Sequence, residues 1–209
     1  MKILELFFGD GSFSRASLKL GHEVTGIDIE ECPEDLIGKI DFYSIDILKF
    51  PYKIWGPQEF DFIWASPPCD TYSTGTFHVG YRKNGIAIKE KARLHDRYVI
   101  TALAIIEYLD PGSFVIENPR GLLRKQPFMK HLDRVTVCYC QYGDTRMKPT
   151  DLFGKIPKSF SPKMCRNNNP DCNHIRAKRG AKTGTQGLTK KDRSKIPEQL
   201  CIEILGEIK

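Results

Sequence analysis

The chain has 209 residues, enough for one domain, or one with an appendage, at about 100–200 residues each. Hydrophobic residues make up 40% and charged residues 28%, a balance that can bury a core and excludes a disordered tail or a fibre. The formal charge of +6 is uneven: residues 1–140 carry 17 Lys and Arg against 19 Asp and Glu, whereas residues 141–209 carry 15 against 7.

In chain order, Ile3–Phe8 reads as a buried strand. It contains Glu5 and stops at Gly9, too short for a membrane span of ~18–20 residues or for a signal-peptide core. Phe13–Leu20 has the apolar spacing of a short helix, ended by Gly21. Val24–Ile27 is a second strand ending at Asp28, and Phe42–Ile47 and Phe60–Ala65 supply two more, separated by a loop with Pro51 and Pro57. Residues from about Ile88 to Leu109 have no Pro or Gly and form the longest helix, broken by Asp110-Pro111-Gly112; Ser113–Ile116 is another buried strand. Strands alternating with helices predict an α/β sheet with parallel strands. After Val135–Tyr139 the periodicity fades, and residues 148–192 read as a small, loop-rich lobe set into a domain of residues 1–147 and 193–209. Ile196–Ile208 returns to helix, with Pro197 in its first turn. Seven cysteines are an odd number for a closed disulfide framework and fit a reducing, cytoplasmic setting.

Ligands of open α/β sheets bind outside the carboxyl ends of strands. Five special loops fall there: Phe7–Ser12, Asp28-Ile29, Asp46-Ile47, Ser66–Asp70 and Glu117–Arg120. Gly9 and Gly11 let the backbone approach a ligand closely, and Asp28, 17 residues beyond Gly11, is placed to bind ribose hydroxyls. The third glycine of a nicotinamide fingerprint would fall at Ser14, and there is no phosphate-binding Lys-Ser/Thr pair, so a nucleoside ligand without a pyrophosphate fits better. Ser66-Pro67-Pro68-Cys69 makes a rigid strand exit that presents a cysteine able to act as a nucleophile. Glu117-Asn118-Pro119-Arg120 brings a carboxylate and a guanidinium to the same edge.

On these motifs the sequence resembles the DNA cytosine C5-methyltransferase family, particularly compact phage-type members, over nearly its whole length. The resemblance implies a doubly wound, Rossmann-like sheet that binds S-adenosyl-L-methionine, with a small basic lobe. It implies that Phe7, Gly9, Asp10, Gly11, Asp28, Ile29, Asp46, Ile47 and Pro67 hold that cofactor, and that Ser194-Lys195-Ile196-Pro197 returns Ser194 and Ile196 to close the pocket. It makes Cys69 the nucleophile that adds to cytosine C6 and Glu117 the acid at N3. Methyltransferases acting on exocyclic amines carry an aromatic residue where Cys69 stands. Three positions depart from the family pattern. Ser12 replaces a glycine, Glu-Asn-Pro replaces Glu-Asn-Val, and Tyr142–Lys148 stands where Gln-x-Arg-x-Arg is usual. Arg146 is therefore expected to serve the base, with Lys148 and Arg120 as alternatives. The resemblance further implies a monomer, double-stranded DNA as partner, a restriction-modification or phage setting and the cytoplasm of a bacterial or phage-infected cell. The same chemistry on RNA, or an inactive DNA-binding homologue, are the alternatives.

Residues 155–195 carry 12 basic and 2 acidic side chains. Arg176-Ala177-Lys178-Arg179-Gly180 and Lys182-Thr183-Gly184-Thr185 read as phosphate-contacting loops, and Asp70–Ile88, with Arg82 and Lys83, as a mobile loop over a flipped base. Cys165, Cys172 and His174 offer three ligands for zinc within ten residues; equally, they are two free thiols and a surface histidine.

Overall fold

Strands that are apolar on both faces need cover on both faces, and this chain supplies it with helices. The computed structural model describes residues 1–166, 169, 172, 174, 175 and 188–208, with the backbone alone at 190 and 191. The strand β1 (Lys2–Leu6) buries every residue from Ile3 to Leu6. It is followed by α1 (Ser12–Lys19), β2 (Glu23–Asp28), β3 (Asp41–Ser44) and β4 (Phe62–Ala65). A short hairpin of β5 (Arg82–Lys83) and β6 (Ile86–Ala87) precedes the 20-residue helix α2 (Glu90–Leu109). Then come β7 (Ser113–Pro119), β8 (Arg134–Cys138), β9 (Pro149–Phe153), α3 (Lys190–Ser194) and α4 (Glu198–Gly206).

The sheet runs β3-β2-β1-β4-β7-β9-β8. The strands from β3 to β7 are parallel, so their C-terminal ends share one edge. One face packs Leu6, Ile63 and Ile116 against Val99, Ala102 and Ile105 of α2. The other packs Ile3, Trp64 and Val115 against Phe13 of α1 and Leu200 and Ile204 of α4. Phe13 stacks on Trp64 with centroids 4.5 Å apart. Each such fully buried large side chain contributes about 1.5–3 kcal/mol, which is what holds the five-strand scaffold rigid beneath its loops.

The parallel α/β expectation holds for those five strands. Two other expectations are corrected. Residues 149–153 do not belong to the basic lobe: β9 is wedged antiparallel between β7 and β8, pairing Glu117 with Leu152 and Val135 with Leu152. Its Asp151 is 1% exposed and is neutralised by Arg124, whose Nε donates at 2.7 Å, and accepts a further hydrogen bond from the Thr136 hydroxyl at 2.8 Å. A buried charge is tolerated in a central strand when it is paired in this way. Nor does Arg82 face outward from the 70–88 loop. Its side chain is 1% exposed, bonded to Asp96 at 2.6 Å and lying 4.2 Å from the Tyr72 ring centre, so it anchors the hairpin from below. Asn84 and Gly85 take positive φ (53° and 85°), the backbone that a two-residue hairpin turn requires.

Candidate active site

After β1 the chain turns sharply, with positive φ at Phe7 (59°), Gly9 (57°) and Gly11 (74°). A Cβ on Gly11 would sit 2.6 Å from Leu36 Cδ1 and 2.7 Å from Phe8 Cε1, so only glycine fits there. The Gly9 amide donates to Asp28 Oδ2 at 2.8 Å and the Glu30 amide to Asp28 Oδ1 at 2.9 Å, which fixes the carboxylate at the end of β2. Asp10 accepts from Ser12 N at 3.2 Å and holds the start of α1. Beside Asp28, Ile29 is 65% exposed, an apolar platform at a polar edge, while Ile47 is buried. Asp46 accepts from Leu48 N at 2.9 Å, and the Phe7 ring meets Tyr98 edge-on with centroids 6.0 Å apart. Ser194 is exposed and Ile196 is buried at the head of α4; between them Lys195 has its pKa raised, first by Asp192 and in smaller part by Asp10 of the first loop. A side-chain-free glycine loop, a fixed carboxylate and an exposed aliphatic platform suit a nucleoside-bearing cofactor.

The strand β4 passes its register on: Ser66 N bonds Leu6 O at 3.1 Å, and Pro67 follows, buried. Tyr72 N and Ser73 N both return to Cys69 O, at 3.0 and 2.9 Å, closing a tight turn that carries the cysteine. Two contacts weld this turn to the end of β7. Asn118 Nδ2 donates to Pro67 O at 3.0 Å, and Leu122 N donates to Tyr72 O at 2.8 Å. A Cβ on the intervening Gly121 would strike Tyr72 O at 2.3 Å. The Pro-Pro-Cys and Glu-Asn-Pro motifs are thus one assembly, held across a sequence gap of about fifty residues.

Glu117 is 6% exposed and accepts from Tyr139 Oη through Oε1 at 2.7 Å. Burial, and then Glu117 itself, push the Tyr139 phenol well above its usual range, so it stays a neutral donor. The partly buried Cys69 thiol is also pushed up, by burial first and by Glu117 and Asp70 after it, while Lys148 pulls it down. Lys148 lies 4.6 Å from the Tyr139 ring centre and donates to Arg193 O at 3.2 Å.

Arg146 is turned elsewhere. It is 8% exposed, with Nε between the Asp144 oxygens at 2.8 and 2.9 Å, Nη1 on Asp192 O at 2.9 Å and Nη2 on Lys195 O at 3.2 Å. That engagement fastens the α3–α4 junction and occupies the guanidinium. Arg120 is exposed, its amide bonded to Pro149 O at 2.9 Å. Of the three candidate cations, Lys148 exerts the largest pull on Cys69. Tyr139 escaped the sequence reading; its only signal was a polar aromatic at the end of a predicted strand.

Cys165, Cys172 and His174 do come together, joined by Cys140 from the turn 139–142. The phosphate-contacting loops at Arg176–Gly180 and Lys182–Thr185 lie outside the described residues. Among the described residues no helix is long and apolar enough to cross a membrane.

The sheet order, the helices on both faces and the loop-borne site at one edge define an α/β fold of the S-adenosylmethionine-dependent methyltransferase kind. Among solved structures, it is similar to a prophage protein of E. coli named as a DNA modification methyltransferase. That match has a TM-score of 0.55 and 18% identity, and covers 79% of this chain and 52% of the other. A DNMT2 variant of Spodoptera frugiperda gives a TM-score of 0.51 and 17% identity, over 83% of this chain and 56% of the other. The chain thus spans about half the length of these structures. No family model matches it. By sequence it is 30% identical over 224 residues to the "Probable DNA (cytosine-5)-methyltransferase" of Frog virus 3 (isolate Goorha), covering 98% of this chain and 99% of that protein. The chain belongs to the cytosine C5-methyltransferase family.

Proposed function

We propose that the protein transfers a methyl group from S-adenosyl-L-methionine to C5 of cytosine in double-stranded DNA, by way of a covalent bond between Cys69 and C6 of a flipped-out base. The observation that carries this reading is the Asn118–Pro67 hydrogen bond, which presents a nucleophile and a carboxyl group together at one strand edge. The name of the Frog virus 3 relative supports the choice of base and of DNA.

The Cys69 thiol gives its proton to solvent and the sulfur adds its electron pair to C6; the C5=C6 π bond opens and its electrons move toward C5. Glu117 holds N3 and stabilises the charge that develops on the ring, the general-acid role. Its Oε1 is held by Tyr139, which leaves Oε2 for the base. Lys148 favours the thiolate form of Cys69. Phe7, Gly9, Gly11, Asp28, Ile29, Asp46, Ile47 and Pro67 line the edge that would hold the cofactor, with Asp10, Ser194 and Ile196 closing it. When bound there, S-adenosylmethionine supplies a sulfonium-activated methyl group for C5. Solvent water then takes the C5 proton, the C5–H electrons restore the double bond, and the C6–S bond breaks to release the Cys69 thiolate. The basic stretch 155–195 supplies the phosphate-facing surface, since neutralising phosphates is what drives duplex binding.

The test is a duplex carrying 5-fluorocytosine, because fluorine at C5 cannot leave as a proton does. With cofactor present, the wild type should form a denaturation-resistant complex whose adduct maps to Cys69, and Cys69→Ser should form none. An adduct at another cysteine, or full methyl transfer by Cys69→Ser, would overturn the mechanism. Trapping on RNA but not on DNA would overturn the substrate while keeping the chemistry.

A further inference from the structure

Four soft or borderline ligands meet beside the active site. Cys140 lies in the turn 139–142 that follows β8, and Cys165, Cys172 and His174 come from the stretch beyond β9. Their four ligand atoms all lie within 4.8 Å of one another. His174 Nδ1 is 3.1 Å from Cys172 Sγ and 3.6 Å from Cys165 Sγ. Tetrahedral zinc, with Zn–S near 2.3 Å and Zn–N near 2.0 Å, sets its ligand atoms about 3.5–3.8 Å apart, so the cluster needs only small side-chain adjustments to close on an ion.

The alternatives use these groups poorly. A disulfide between any two cysteines leaves the third sulfur and the imidazole without a task. Thiols are weak donors, and a network of them would not repay enclosing Cys165, which is 4% exposed. The surrounding stretch also needs a fastener. Between Phe160 and Ile196 the described residues contribute just Cys165 to the buried apolar core, so the described part of this stretch has little apolar burial to hold it.

We propose that Cys140, Cys165, Cys172 and His174 form a closed, structural zinc site that pins the stretch after β9 to the turn bearing Tyr139. Three thiolates and one imidazole complete a tetrahedron with no open position, which suits a staple and not a catalyst. Each thiol gives its proton to solvent as its Zn–S bond forms. The pin acts where it matters for the site. Cys140 is bonded in sequence to Tyr139, the donor to Glu117, and just beyond His174 the Ile175 amide donates to Thr145 O at 2.9 Å. The lobe is thereby tied to the active-site wall on both sides of Gly143.

The experiment starts from wild-type protein purified under reducing conditions from zinc-supplemented cells. Elemental analysis should find about one zinc per chain. Cobalt(II) introduced in its place should give tetrahedral d–d bands and a thiolate-to-metal charge-transfer band. Cys140→Ser should lose about a third of that charge-transfer intensity, and its zinc affinity should fall by more than the roughly 10–100-fold that outer-sphere partners command. Cys32→Ser, remote from the cluster, should behave as wild type. Zinc-free wild type, a cobalt complex with no thiolate band, or Cys140→Ser with unchanged affinity and spectrum would each overturn the proposal. The wild-type measurements decide it even if the variant fails to fold.

Discussion

Tyr139 reaches across from the turn after β8 and donates its hydroxyl to Glu117 on β7, 2.7 Å from Oε1, with both side chains buried. The phenol is held protonated and so remains a donor to Oε1, leaving Oε2 without this partner. Tyr139→Phe should reduce kcat by about 10–100-fold, the scale of a hydrogen bond to a charged group at ~1.5–3 kcal/mol. Cofactor affinity should stay as in the wild type. Single-turnover methyl transfer and calorimetry on the same variant check both halves.

The Cys69 thiol sits above its usual range because of burial, with Lys148 opposing the shift. Since a raised pKa leaves less thiolate at neutral pH, the rate of alkylation at Cys69 should climb as the pH is raised through and beyond the ordinary thiol range. Lys148→Gln should move that climb to still higher pH. Peptide mapping after timed iodoacetamide exposure measures it, and an unshifted profile would remove Lys148 from the site.

Asp28 has both oxygens bonded to the loops it joins. Asp28→Ala should weaken S-adenosylmethionine binding by about 1.5–3 kcal/mol by calorimetry, the scale of charge-assisted hydrogen bonds. Binding of a nicotinamide dinucleotide by the wild type would contradict the assignment of this edge.

Much of this architecture was legible in the chain, and the illegible parts have physical causes. β1, β4 and the long helix α2 announce themselves because uninterrupted apolar runs and helical spacing have few other solutions. β9 does not: Pro149-Thr150-Asp151 has the composition of a loop, and it is a strand because β7 and β8 offer paired edges and Arg124 neutralises Asp151. Asn84-Gly85 carried a strong hairpin signal, hidden inside a segment read as a mobile loop. The chemistry-bearing loops were readable because parallel strands must deliver their ends to one edge. Cys140 was not, since it lies 25 residues before Cys165 with a whole strand between them. The engagement of Arg146 by Asp144 was not legible either, because sequence shows a cation's place in a motif and not the carboxylate beside it.

Glu5, in the middle of β1, is 1% exposed, and burial raises its pKa to about 8 against the opposing hydrogen bond from Ser14. Between the unfolded value of 4.5 and about 8 the folded chain therefore holds a proton that the unfolded chain has lost. Stability from this group is fully present below the lower value and falls as pH rises, by up to ~1.4 kcal/mol per pH unit. Glu5→Gln keeps an acceptor for Ser14 and should flatten the decline, so that the variant overtakes the wild type at pH 8. Urea melts at pH 5, 6.5 and 8 give the comparison.

Arg82 is enclosed while its partner Asp96 keeps 21% of its side chain exposed. Arg82→Met should destabilise the protein by about 3 kcal/mol, because Asp96 and the Thr71 carbonyl lose a donor that water replaces poorly. The hairpin 82–87 should then become the first site of proteolytic nicking. Thermal denaturation and limited trypsin digestion test the two effects.

Because β9 runs against its neighbours, it begins at the catalytic edge and ends at the opposite one, where Gly154 N bonds Asp133 O at 2.9 Å. Lys155 O accepts from Phe114 N of β7 at 3.3 Å, and the chain meets β8 again where the Cys138 amide donates to Lys163 O at 2.9 Å. That contact covers the last residue of a strand whose outer flank would otherwise offer open backbone donors and acceptors to another molecule. The opposite flank, β3, is four residues long and mostly exposed, a poor template for pairing. Whatever peels Lys163 away from Cys138 thus lengthens an adhesive edge, and the first visible sign of damage to this lobe would be self-association in the tube, ahead of any change in the loops of the candidate site.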